Sequence, residues 1–140
     1  MQKIVINKCY GGFSISEKAL YRLAELKGVT LYKKQEDGEF FPTYWTVPEI
    51  PDGIIKDKDW HKASLEDRII SNELCRKSTM GNRPENRADP DLIKVVEELG
   101  KDADGKHSKL CVVEVPDGVE WEIEEYDGIE HVAEKHRIWG

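Results

Sequence analysis

The run Lys3-Ile4-Val5-Ile6-Asn7-Lys8-Cys9 is the feature that most limits how this chain can fold. Consecutive β-branched residues suit the pleated surface of a buried strand. Gly11 and Gly12 break the run. Ser14-Ile15-Ser16-Glu17 then opens a helix carrying Ala19, Leu20, Leu23, Ala24 and Leu26, and Gly28 stops it. Ser14 with Glu17 spells a capping box, whereas Ser16 as N-cap would set Ile15 against Leu20 as a hydrophobic staple. Either choice starts the helix within the same turn, and the apolar spacing lays one stripe of it against a sheet.

A strand is expected at Val29–Lys34, a turn at Gln35-Glu36-Asp37-Gly38 and a second strand at Phe40–Val47, interrupted by Pro42. Proline cannot donate to a ladder, so this hairpin would lie at an edge. Residues 48–86 read as an irregular, variable segment. Within it, Ser64–Arg76 forms a candidate helix with Ser64 as cap and Leu65, Ile69, Ile70 and Leu74 on one stripe. The clearest helix follows Asp89, with Pro90 at its first position and Gly100 at its end; Leu92, Val95, Val96 and Leu99 share a face. Three strands close the chain, at Lys109–Val115, Val119–Tyr126 and Ile129–Ile138. Asp127-Gly128 is a strong hairpin turn between the last two. A two-residue turn there would set Glu125 directly opposite Glu130, which is unfavourable, so a longer loop or a bulge is expected. The order describes an α+β fold: a mixed, largely antiparallel sheet with about three helices packed mainly on one face.

At 140 residues the chain is expected to form a single domain, 1–140. Its 21 basic and 28 acidic residues leave a net charge of −7. Such a surface repels nucleic-acid phosphates, so generic nucleic-acid binding is not expected. No apolar run spans a bilayer, and the N-terminus carries no signal-peptide core. Cys9, Cys75 and Cys111 are three in number without CxxC spacing, which suits thiols in a reducing cytoplasm rather than disulfides or a zinc site.

The most suggestive stretch for chemistry is Tyr10-Gly11-Gly12-Phe13-Ser14. A strand leading through two glycines to a helix start exposes N–H groups to an anion, with Ser14 or Ser16 as hydroxyl donors and Tyr10 and Phe13 flanking a base or ribose. The stretch lacks both GxxxxGK[ST] and GxGxxG. Arg83 and Arg87, beside the helix start at Asp89, supply guanidinium forks for phosphate or carboxylate. Tyr44 and Trp45 are neighbours on a strand and point to opposite faces, so one of them is free for stacking or for a contact between copies. Glu120, Glu122 and Glu124 with His131 and His136 read as the solvated face of a sheet rather than a metal site. No catalytic set, cofactor or metal site is expected.

Several segments resemble a family of small uncharacterised bacteriophage and prophage proteins. They are Ile4 to Ser16 with its Cys9-Tyr10-Gly11-Gly12-Phe13 core, Glu25 to Gly28, Tyr44 to Pro48, Arg87 to Leu92, and the closing stretch from Val112 through Trp121 to Gly128 and Ala133 to Arg137. The resemblance covers both ends of the chain and carries no activity with it. It implies a phage accessory protein in the cytoplasm of an infected bacterium. In that setting the expected function is to bind and sequester a phosphate-bearing small molecule, such as a nucleotide-type immune signal, in a homo-oligomer. Tyr10, Gly11, Gly12, Phe13, Ser14, Ser16, Tyr44, Arg83 and Arg87 would form the site. The alternatives are an enzyme acting on a nucleotide-like substrate, and an acidic adaptor that blocks a host protein.

Overall fold

A computed structural model describes residues 1–36 and 38–135. Asp37 of the expected first turn, and His136 with the end of the last expected strand, lie outside the described residues. The chain packs as two compact units. One comprises Met1–Lys27 with Asn82–Gly140, and the other Gly28–Gly81.

In the first unit, β1 (Gln2–Asn7) pairs antiparallel with β4 (Leu110–Val115), Val5 lying opposite Val112. Helix α1 (Glu17–Leu26) packs on α3 (Pro90–Leu99), and α3 packs on both strands. Ser16 is the N-cap of α1: its hydroxyl accepts from Ala19 N, so the alternative with Ile15 outside the helix is the one adopted. Asp89 caps α3 by accepting from Asp91 N, with Pro90 in the first turn. A 3-10 turn at Gly100–Ala103 follows α3. The core between these elements is Ile4, Val5, Ile6, Phe13, Ile15, Ala19, Leu20, Leu23, Leu92 and Val95, all buried.

The same unit ends in a hairpin, β5 (Trp121–Tyr126) and β6 (Ile129–Glu134). Asp127 and Gly128 both have positive φ, 52° and 90°, as a type I′ turn requires. The turn therefore contains two residues, and Glu125 does stand directly opposite Glu130. The bulge expected from that juxtaposition is not formed, because Arg87 neutralises Glu130 instead.

The second unit holds the hairpin β2 (Tyr32–Lys34) and β3 (Thr43–Trp45), shorter than expected on both arms, with Tyr32 opposite Trp45. A 3-10 turn at Asp57–Lys62 precedes α2 (Leu65–Ser78), which Ser64 caps by accepting from Asp67 N. The chain is α+β, with every strand pair antiparallel. In place of the single sheet that was expected, the strands among the described residues form three two-stranded sheets. Among the described residues, no helix is long and apolar enough to cross a membrane.

Candidate functional site

The glycine turn does not lead straight into a helix. Residues 13–16 intervene, and α1 begins only at Glu17. Its start is covered by the protein itself. Ser16 N donates to Ala103 O, the Ser16 hydroxyl donates to Asp102 O, and Ile15 N donates to Asn82 O. Lys8 N and Cys9 N are also satisfied, by Lys109 O and the Asn7 side chain. The amides of Lys8, Cys9, Ile15 and Ser16, which flank the stretch Tyr10 to Ser14 on both sides, are thus already bonded within the chain. A Cβ on Gly11 would overlap the His107 carbonyl, and one on Gly128 would overlap Tyr10 O. These glycines let the chain approach itself closely rather than a ligand.

Ser14 belongs to the same internal network, its carbonyl accepting from Gly105 N and the Ser108 hydroxyl. Tyr10 is exposed and Tyr44 lies in the second unit, half-buried on β3 beside buried Trp45. Neither these two nor Gly11, Ser14 and Ser16 line the hollow described next.

That hollow lies within the first unit and has a volume of about 390 Å³. It brings together four of the expected residues: Gly12, Phe13, Arg83 and Arg87. Gly12 has φ +88°, and nothing lies within 4 Å of the position its Cβ would take, so the chain leaves that direction open. Pro84, Glu85, Glu125 and Glu130 complete the wall.

Arg87 is committed to the fold. Its guanidinium donates to both oxygens of Glu130, Nη1 to Oε1 at 2.7 Å and Nη2 to Oε2 at 2.9 Å. It also reaches Val5 O at 3.3 Å and sits over the Phe13 ring, 3.4 Å from its centroid. Glu130 is only 4% exposed, and its Oε1 takes a further bond from Asn7 N at 2.8 Å. Asn7, fully buried, bonds Gly128 O, Cys9 O, Cys9 N and Lys109 N through its amide. No buried side-chain nitrogen or oxygen among the described residues lacks a partner, this cluster included, which is what burial demands. Asn7, Arg87 and Glu130 form a polar clamp joining β1, the segment before α3, and β6.

Arg83 differs. It is exposed and, among the described residues, has no ion-pair partner; the same holds for Glu85 and Glu125. With Arg87 and Glu130 cancelling, the hollow presents one available guanidinium and two available carboxylates. It therefore suits a guest carrying both an anionic group and hydrogen-bond donors better than a bare phosphate. Glu85, Glu125 and Glu130 were not singled out in the sequence as site residues; the near-hairpin pairing of Glu125 with Glu130 was the one signal pointing to them.

Elsewhere, His131 pairs with Glu124 at 2.8 Å across the hairpin, both exposed. Among the described residues, no group of three His, Cys, Asp or Glu side chains converges as a metal ion would need. Burial pushes the Cys75 thiol up from its ordinary value. Burial also pushes the Asp89 carboxyl up, but hydrogen bonds from Lys27 and from backbone amides outweigh it and hold the group below its usual range. Compared with known proteins, the chain matches no family model, no curated protein and no solved structure.

Proposed function

We propose that the chain is a binding module that holds a small phosphate-bearing molecule of nucleotide type in the hollow beside Gly12. Arg83 meets the phosphate, and Glu85 and Glu125 accept hydrogen bonds from amino groups of the base or from ribose hydroxyls. A guanidinium is suited to phosphate, and a carboxylate to the exocyclic amino groups of bases. The volume falls within the range of roughly 300–1,000 Å³ common for small-molecule sites. The observation that carries this reading is the unpartnered Arg83 on the wall of a hollow whose other arginine is already neutralised. The likeness to bacteriophage proteins would make the guest a host signalling nucleotide in the cytoplasm of an infected bacterium, kept from its receptor by sequestration.

Calorimetric titration with GMP, CMP, AMP and UMP tests it. Binding is expected to be weakest for UMP, whose base carries no amino group. Arg83→Ala should weaken binding by about 1.5–3 kcal/mol, as for hydrogen bonds to charged groups, and leave the melting temperature unchanged. Titrations without heat for all four nucleotides, or an affinity indifferent to Arg83→Ala, would overturn the assignment.

A further inference from the structure

Helix α2 packs through Ser71, Leu74 and Cys75 and leaves its opposite side bare in the fold. Its one buried residue is Ser71, whose hydroxyl accepts from Ile55 N. Leu65, Ile69 and Ile70, by contrast, are 73%, 60% and 48% exposed. At 100° per residue, Leu65, Ile69, Asn72 and Arg76 follow one another along a single stripe on the side away from Ser71. The two ends of the helix carry opposite charge: Glu66 and Asp67 in the first turn, Arg76 and Lys77 in the last.

From this we infer that α2 pairs with α2 of a second copy of the chain, antiparallel about a two-fold axis close to Ile69 and Asn72. A two-fold contact is self-complementary, so the surface must match itself when reversed. This stripe does. Reversal brings Glu66, in the acidic first turn of one copy, beside the basic last turn of the other, and it also opposes the two helix dipoles favourably. In the register that aligns the stripe, Leu65 of each copy lies along the aliphatic stem of the other's Arg76, and Ile69 lies beside Asn72. Arginine stems cover apolar surface in this way while the head stays in water. A parallel pairing would juxtapose like charges at both ends. Arg76 and Lys77 lean on Glu73 within their own helix, but such exposed pairs are weak and exchange readily.

Sedimentation equilibrium over a concentration series tests the pairing on the full chain. A monomer–dimer equilibrium is expected, with the dissociation constant raised at least tenfold by Ile69→Asp while the melting temperature holds. Orientation is read separately by mixing a Leu65→Cys chain with an Arg76→Cys chain under mild oxidation, against the unsubstituted chain as control. The mixed disulfide should form in preference to either symmetric one. Four results would overturn the inference: a monomer at several hundred micromolar; a dimer indifferent to Ile69→Asp; preferential linkage of Leu65→Cys to itself; or a monomer whose stripe is instead taken by a different protein.

Discussion

In the first unit Ile4, Val5, Ala19, Leu20, Leu92, Val95 and Ala103 are sealed from solvent. In the second, Trp45 is the one buried apolar residue among those described, while Phe40 and Phe41 stand 91% and 81% exposed. The difference is one of layers rather than of residue type. The first unit has a β-branched strand with helices to cover it, so each stripe finds a facing surface. The second has a hairpin of three-residue strands and a helix that half-buries Leu74 and Cys75 but leaves Leu65 and Ile69 facing outward. A stripe is only half an instruction: it says which side is apolar, and a second surface has to exist before that side is buried.

The contrast breaks most visibly at the clamp. Glu130→Ala leaves the Arg87 guanidinium unpaired in a nearly closed site and should cost about 3–5 kcal/mol in urea unfolding. Arg87→Ala should cost a similar amount, so its main effect is on stability rather than on ligand affinity. The double variant Arg87→Leu with Glu130→Leu should cost far less than the two single losses added together. An additive result would mean that the pair is not the joint between β1 and β6.

Apolar truncations sharpen the comparison directly. Leu20→Ala, fully buried, should cost about 2–5 kcal/mol, whereas Ile69→Ala in the second unit should stay within about 0.5 kcal/mol at dilute concentration. Equal losses at the two positions would show that α2 is covered in solution even when the chain is dilute. At the hairpin turn, Gly128→Ala combines a positive φ with an overlap onto Tyr10 O, so a loss of about 1–3 kcal/mol is expected by the same denaturant measurement.

The smallest effect is acid-linked and belongs to the first unit. The Asp89 carboxyl is held below its usual range in the folded chain by Lys27, at 2.7 Å, and by the amides of α3. A depressed acid stabilises the fold at pH values above its unfolded pKa of about 3.9, and that contribution fades as pH falls through the lower folded value. Asp89→Asn should therefore lower the melting temperature slightly at neutral pH, by an amount that shrinks as the pH falls through the lowered folded value. A gap between the two proteins that does not shrink would point to the lost cap rather than the charge.

Much of the fold was legible before any coordinates. Ser16, Ser64 and Asp89 stand as caps, and Asp127-Gly128 makes the tight turn, because capping and turn chemistry depend on neighbours a few residues away. The glycine turn was only partly legible, for the opposite reason. Gly11 and Gly12 look alike in the chain. Yet Gly11 is pressed against His107, nearly a hundred residues away, and Gly12 faces open space. Arg87 and Arg83 likewise share a residue type and a neighbourhood, and only the arrival of Glu130 from β6 separates a structural cation from an available one.

By itself, the order of residues determined the element types, the caps, the antiparallel turns and the acidic surface, since each rests on short-range geometry or on simple counting. Tertiary structure alone decided that the described strands form three pairs instead of one sheet, that Glu125 and Glu130 can face each other, and which arginine is taken up by an ion pair. Those outcomes turn on groups far apart in sequence meeting at hydrogen-bond distance, where burial makes a matched charge stable and an unmatched one costly.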